Sequence, residues 1–204
     1  MKKQILSLFL LASILNILSF LTSCKVGSPR VRMETEMGTI TVEVYPDKAP
    51  ITANNFLKYV DEKRYDGASF YRVVRMDNQP NNDIKIEVIQ GGLDSTLRER
   101  RLPAIVHETT DKIGLKHLDG TISMGRSNPG TASSEFFFCI NDQPELDFGG
   151  KRNPDGQGFP AFGKVIKGMK VVRQIQQGKT GAPPRNNAQA LDKVVIINKV
   201  VRVR

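Results

Sequence analysis

Residues 130–142 read GTASSEFFFCIND. Phe136, Phe137 and Phe138 sit side by side, entered through small polar residues and left through a turn-like Asn141-Asp142. Along a strand, successive side chains face opposite ways. Phe136 and Phe138 are therefore expected to enter a core, and Phe137 to point away from it. Composition and period do not say what an outward Phe137 is for, and simple core remains open for all three rings. Cys139, within the same apolar run, reads as a small buried hydrophobe.

The flanking sequence supplies strands on both sides. Val31, Met33 and Thr35 alternate with Arg32, Glu34 and Glu36; after a Met37-Gly38 turn, Ile40, Val42 and Val44 alternate with Thr39, Thr41 and Glu43. This predicts a hairpin. Pro50 suits a first helical turn, and Ile51, Phe56, Leu57 and Val60 follow along one helical face, closed by Asp66-Gly67. Further strands are expected over 69–75, 84–90, 121–125, 134–140, 161–166 and 191–204, with a second amphipathic helix over 167–177. Residues 76–83, 141–159 and 180–189 read as loops, and 93–120 as long loops with short strands. Two helices among many short strands fit a closed barrel with capped ends, which removes exposed sheet edges; pattern alone leaves a sandwich equally open.

The chain has 204 residues, and its first stretch differs from the rest. Residues 1–23 begin with Lys2-Lys3, continue in an apolar run and end in small residues before Cys24, the layout of a secretory signal. The run from Ile5 to Leu21 is short for a bilayer span of ~20 residues and is diluted by Ser7, Ser13, Asn16 and Ser19. Leu21-Thr22-Ser23-Cys24 resembles the bacterial lipobox, which implies lipidation of Cys24, a tether over 24–30, and a protein held on a membrane rather than in it. Localisation in the bacterial cell envelope, facing the periplasm, follows as an expectation. With Cys24 lipidated, Cys139 has no partner for an intramolecular disulfide. Loss of Lys2 and Lys3 lowers the formal charge from +9 to +7. The densest basic cluster, Arg98-Glu99-Arg100-Arg101, has no interleaved aromatics and reads as a solvated loop, not a nucleic-acid site. Residues 31–204 suit one domain with a full core, expected to be a monomer.

Groups for proton transfer or covalent catalysis are missing. His107-Glu108-Thr109-Thr110-Asp111 loosely echoes a zinc-protease helix, but Asp111 stands where the second histidine belongs and Thr109-Thr110 is poor helix material. No phosphate-binding loop, nucleophile elbow or paired-cysteine motif occurs. No metal and no cofactor are expected.

The strongest signals are Phe70-Tyr71-Arg72-Val73-Val74, Ile89-Gln90-Gly91-Gly92, Gly120-Thr121-Ile122-Ser123-Met124, Ser133-Ser134-Glu135-Phe136-Phe137-Phe138 and Ala161-Phe162-Gly163-Lys164-Val165. In this order, with helices in the right gaps, they resemble the cyclophilin family of peptidyl-prolyl cis-trans isomerases from near Val31 to the C-terminus. The resemblance implies a mainly β fold, an eight-stranded antiparallel barrel capped by two helices. It also implies rotation of X-Pro bonds in proline-containing polypeptide clients, here exported proteins. Arg72 matches the catalytic arginine and Phe137 the aromatic wall for the proline ring. Gln90 is implied to bond substrate backbone or hold Arg72, and the main chain at Gly125-Arg126 to pair with extended peptide. Val88, Leu146 and Phe159 complete the pocket. The alternative reading is a catalytically weak proline-peptide-binding or chaperone module on the same barrel.

Several positions depart from the family. Residues 76–85 lengthen the connection between Arg72 and Gln90, and Glu87-Val88 replaces an aromatic-Met pair. Leu146 stands where a tryptophan is frequent, Phe159 where a histidine is, and Arg126 where an asparagine is. Leucine offers neither the indole N–H nor its contact face, which argues against binding of the cyclosporin drug class. Glu87 would compete with substrate if it paired with Arg72; strand alternation and the lengthened connection predict that it turns outward.

Overall fold

A computed structural model describes residues 27–181 and 187–203. The leader expected over 1–23 and the expected lipidation site, Cys24, lie outside the described residues. Among the described residues no helix is long and apolar enough to cross a membrane.

Eight antiparallel strands form a closed barrel: β1 (Arg30–Thr35), β2 (Gly38–Val44), β3 (Ser69–Val74), β4 (Val88–Gly92), β5 (Thr121–Met124), β6 (Phe136–Cys139), β7 (Ala161–Lys167) and β8 (Ala190–Val203). Their order around the barrel is β1-β2-β7-β5-β6-β4-β3-β8. The long β8 closes it by pairing with both β1 and β3. Helix α1 (Pro50–Asp61) packs against β7 and β8, and α3 (Met169–Gln176) against β2, β3 and β4; α2 is a single turn (Thr110–Ile113). The barrel-with-two-caps expectation therefore holds, and the sandwich falls.

Alternation sorts the side chains into two apolar groups. Phe70, Val73, Ile89, Phe136, Phe138 and Phe162 fill the barrel, with Phe56 of α1 plugging one end. Phe56 meets Phe136 edge-on at 5.9 Å and Phe162 at 5.0 Å. Full burial of such a side chain contributes roughly 1.5–3 kcal/mol. Outside the wall, Val74, Ile86, Val88, Phe137, Cys139 and Leu146 form a second cluster, capped by Phe159.

Strict alternation would send Arg72 inward, on the same side as Phe70. A register shift between Phe70 and Arg72, seen against both β4 and β8, prevents it. Phe70 pairs with Gly91 and Arg72 with Gln90, so Tyr71 is the extra residue of a β-bulge. Bulges redirect side chains; here Tyr71 and Arg72 are only partly buried while Phe70 and Val73 are buried. Gly91 permits this close approach, since a Cβ there would lie 2.8 Å from the Ser69 carbonyl oxygen.

The structure corrects three local expectations. β4 begins at Val88, not at residue 84, because Ile86 spends its backbone N–H and carbonyl on the Gln79 side chain instead of a strand neighbour. Residues 93–120 hold a 3-10 turn (Ser95–Arg100) and α2 in place of short strands. Lys167 belongs to β7, and Gly168 at φ 95° separates it from α3. Glu108 accepts from the Ile51 and Thr52 backbone N–H groups and from the Thr52 hydroxyl, satisfying the exposed donors at the start of α1.

Candidate active site

The register lays one row of residues across neighbouring strands: Arg72 of β3 opposite Gln90 of β4, Gln90 opposite Phe137 of β6, and Phe137 opposite Ser123 of β5. Adjacent strands lie about 4.8 Å apart, so the row puts a cation, an amide and an aromatic ring within reach of one small ligand. The loop between β6 and β7 folds over this row. A 3-10 turn (Pro144–Leu146) buries Leu146, whose carbonyl accepts from the Phe159 N–H at 2.9 Å. Together they enclose a cavity of about 130 Å³ lined by Arg72, Ile86, Val88, Gln90, Gly125, Arg126, Phe137, Leu146 and Phe159. Every substrate-site residue expected from the sequence lies on its wall; only Ile86 was not foreseen. Drug-sized ligands occupy roughly 300–1,000 Å³, so this hollow suits a single small ring or side chain.

Among the described residues Arg72 meets no carboxylate. Its Nε and Nη2 donate to Gln189 Oε1 at 3.0 and 2.6 Å, and its Nη1 to Gln90 Oε1 at 2.7 Å. Among the described residues, one N–H on each terminal nitrogen has no further acceptor. Burial, and secondly the charge of Arg152, push the Arg72 pKa down from its usual value. An uncompensated guanidinium held by neutral amides keeps its capacity to donate to an incoming acceptor.

Residues 76–85 support this arrangement from behind. Asn78 donates to the Val73 and Ala188 carbonyls, each at 3.1 Å, and its own carbonyl accepts from Gln189 Nε2 at 3.3 Å. Gln79 pins Ile86 into the cavity wall. Glu87 faces away, accepting from Asn141 Nδ2 at 2.8 Å and from Gln176 Nε2 of α3 at 3.4 Å. It neither lines the cavity nor pairs with Arg72.

The opposite rim carries a different arginine. The Arg126 side chain is 0 % exposed and is paired with Asp155 at 2.7 Å. Its Nε donates to the Gly158 carbonyl at 2.7 Å, and its guanidinium lies 5.2 Å from the Phe159 ring centroid. Gly158, at φ +61° and with the Asp147 backbone where a Cβ would sit, allows the loop to pass this closely. The Arg126 hydrogen bond is the chief cause that holds the Asp155 pKa down at about 2. The side chain braces the loop, and the main chain at Gly125 is left at the cavity.

Phe137 is outward from the barrel yet only 5 % exposed. Phe159 meets it edge-on at 5.3 Å, and His117 stacks on it at 5.9 Å with planes 14° apart. His117 was not foreseen as a site residue. With its Nδ1–H donating to Asp147 at 2.7 Å, its Nε2 accepts the Ser123 hydroxyl at 3.1 Å. That is the order of a serine-hydrolase triad, but Ser123 is 0 % exposed and no acyl substrate reaches it. The set fixes the His117 ring, and through it Phe137.

Tyr71 and Glu135 lie within the sequence motifs, where nothing in the sequence predicts a role for them. Gln90 Nε2 donates to the Tyr71 hydroxyl at 2.9 Å, and that hydroxyl is hydrogen-bonded to Glu135. Burial raises the Glu135 pKa from 4.5 to about 7.

Comparison with known proteins assigns the class. The family model of the cyclophilin type peptidyl-prolyl cis-trans isomerase matches residues 30–201, and this chain belongs to that family. A peptidyl-prolyl cis-trans isomerase of Acinetobacter baylyi is 38 % identical over 151 residues, spanning 74 % of this chain and 73 % of that protein. Peptidyl-prolyl cis-trans isomerase A of Dickeya dadantii is 33 % identical over 177 residues, 86 % of each chain. In fold, the chain is similar to a cyclophilin type isomerase of Cryptosporidium parvum, with a TM-score of 0.64 at 20 % identity, covering 87 % of this chain and 98 % of that one. A second structure of that protein, in the presence of the dipeptide Ala-Pro, gives a TM-score of 0.62 at 21 % identity, with 86 % and 99 % covered. The enzyme class is peptidyl-prolyl cis-trans isomerase.

Proposed function

We propose that this chain is an exported isomerase, anchored by lipid on Cys24 to a membrane of the bacterial cell envelope and facing the periplasm. It acts as a monomer on X-Pro bonds of exported polypeptides, without metal or cofactor. The observation that carries the site assignment is convergence: Arg72, Val88, Gln90, Gly125, Arg126, Phe137, Leu146 and Phe159 line one small cavity.

The mechanism follows from what rotation requires. Amide resonance sets a barrier of ~18–20 kcal/mol, and uncatalysed X-Pro turnover takes tens to hundreds of seconds. As the bond twists, resonance is lost, and the prolyl nitrogen becomes pyramidal and able to accept a hydrogen bond. No base or nucleophile is needed. The proline ring packs on Phe137 among Val88, Leu146 and Phe159. The uncommitted N–H groups of Arg72 meet the nitrogen as its lone pair localises, so the interaction strengthens toward the transition state. Gln90 and Gln189 hold the guanidinium in place beforehand. The Gly125-Arg126 main chain pairs with the extended peptide. The alternative of a weak binding module would be favoured by an Arg72–Glu87 pair; Glu87 instead faces Asn141 and α3.

The test is refolding of a protein limited by proline isomerisation, with the full chain added in catalytic amount. The slow phase is expected to accelerate with the wild type and not with Arg72→Ala. Mass spectrometry of the protein from bacterial membranes should find a diacylglyceryl adduct on Cys24. A soluble, unmodified product would refute the anchor.

A further inference from the structure

Four side chains form a continuous polar chain running from half-buried Glu135, just before β6, to the cavity: Glu135, the Tyr71 hydroxyl, the Gln90 amide and the Arg72 guanidinium. Each link has a direction. Arg72 has only donors, so Gln90 must turn its oxygen toward Arg72, and its NH₂ then faces Tyr71. The Tyr71 oxygen accepts from that NH₂, which obliges its own hydrogen to point to Glu135. The arrangement is complete only when Glu135 accepts, as its carboxylate does.

A protonated Glu135 undermines this order. If its hydroxyl donates to Tyr71, the Tyr71 hydrogen turns toward Gln90, and the amide must flip to accept it. The flipped NH₂ then faces the Arg72 donors, and the guanidinium loses one of its two holders. Hydrogen-bonded chains transmit such reversals because every member is polarised by the next.

Glu135 is placed to titrate. The titratable and charged groups facing it are Tyr71 on β3, Arg101 after the 3-10 turn at 3.4 Å, and, deeper, the buried phenol of Tyr65. Arg101 also donates to the Leu93 carbonyl at 2.7 Å, so its hold on Glu135 is partial. Burial outweighs it and raises the carboxyl pKa to about 7.

We propose that Glu135, acting through Tyr71 and Gln90, is a positioning residue that sets the orientation of Arg72 and slows the isomerase as its surroundings become acidic. The proposal rests on the reading of Arg72 as the catalytic donor. No proton is transferred in X-Pro rotation, so an acid limb in the rate must come from a group outside the bond-rotation step.

The test uses the full chain in detergent and measures kcat/KM on a proline tetrapeptide from pH 5.5 to 8.5. Wild type is expected to fall about tenfold between pH 8 and pH 6, following the ionised fraction of a group titrating near 7. Glu135→Gln, whose amide oxygen accepts from Tyr71 at every pH, is expected to be flat. A flat wild-type profile, or an acid limb retained in Glu135→Gln, overturns the proposal. In parallel, the side-chain NH₂ resonances of Gln90 are followed by ¹⁵N NMR over the same range. They should shift with a midpoint near pH 7 in wild type but not in Tyr71→Phe, which leaves the carboxyl and cuts the chain. This second readout does not need turnover. An inactive protein whose Gln90 still titrates through Tyr71 would sink the isomerase reading and keep the relay. An active protein whose Gln90 is silent would do the reverse.

Discussion

Two arginines border the same cavity in opposite electrostatic settings. Arg126 is saturated: Asp155 and the Gly158 and Ser127 carbonyls take its donors, and Phe159 covers its face. Among the described residues, Arg72 is held by neutral amides alone and retains donors without an acceptor. Both are buried to a large degree, so burial does not separate them. The difference lies in the partners. A cation cancelled by a carboxylate has spent its field and acts as a brace. A cation positioned by dipoles keeps its field for a ligand. The two also differ in scaffold, since Arg72 rides on a bulged strand and Arg126 fastens a loop.

The largest expected effect breaks this contrast at Arg72. Lysine keeps the charge but not the fork that engages Gln90 and Gln189 together. Arg72→Lys should lower kcat/KM about 100-fold or more, with thermal stability little changed. Arg126→Lys should instead act on the loop. Its expected signature is a KM increase of about tenfold and destabilisation of ~1 kcal/mol, because Asp155 is partly exposed and lysine keeps the charge. Equal catalytic losses from both substitutions, measured by peptide relaxation and thermal melts, would erase the distinction.

Glu135 sharpens the comparison through pH. Its folded pKa, about 7, is raised above the usual 4.5 by burial. The folded state thus holds the proton more tightly. The associated stability is complete below about 4.5 and is lost as pH rises through about 7. Glu135→Gln should therefore gain relative to wild type between pH 5 and pH 8.5, by roughly 1–2 kcal/mol after allowance for its partial exposure and for Arg101. Chemical denaturation at the two pH values reads this directly.

The smallest effect concerns Asp155, whose pKa is depressed to about 2 chiefly by the Arg126 hydrogen bond. The sign is opposite to that of Glu135. Its contribution is present above about 3.8 and lost as pH falls toward 2. Backbone amide exchange in residues 147–158 should be constant from pH 7 to pH 5, once corrected for intrinsic rates, and should loosen only below about pH 4. An Asp155→Asn protein should show the loosened loop at neutral pH.

Much of the barrel was legible because it obeys local rules. The alternation of Val31–Val44, the proline at the head of α1 and the outward place of Phe137 all follow from residue period. The cavity was legible through the family resemblance: Arg72, Gln90 and Phe137 sit in motifs that match the cyclophilin pocket, whereas residue period alone would read the three phenylalanines as core. What remained hidden is nonlocal. The bulge that turns Arg72 outward has no mark in the run FYRVV beyond what a regular strand would carry. Gln189 and Arg72 are far apart in the chain, and only the closure of β3 on β8 joins them. His117 and Asp147 come from loops with no periodicity, and their meeting behind Phe137 depends on how the loops fold back. Ile86 was read as a strand residue because its apolar neighbours resemble one; the Gln79 side chain captures its backbone instead.

The proposed role of Arg72 is that of an unspent donor. Its most direct test is the cis-to-trans relaxation of a short proline peptide at pH 8 with wild type, Arg72→Ala and Arg126→Ala, each checked for folding by near-ultraviolet circular dichroism. The account predicts rapid relaxation with wild type, a rate near the uncatalysed one with Arg72→Ala, and an intermediate rate with Arg126→Ala that recovers as peptide concentration rises. A folded Arg72→Ala protein that relaxes the peptide as fast as wild type would contradict it.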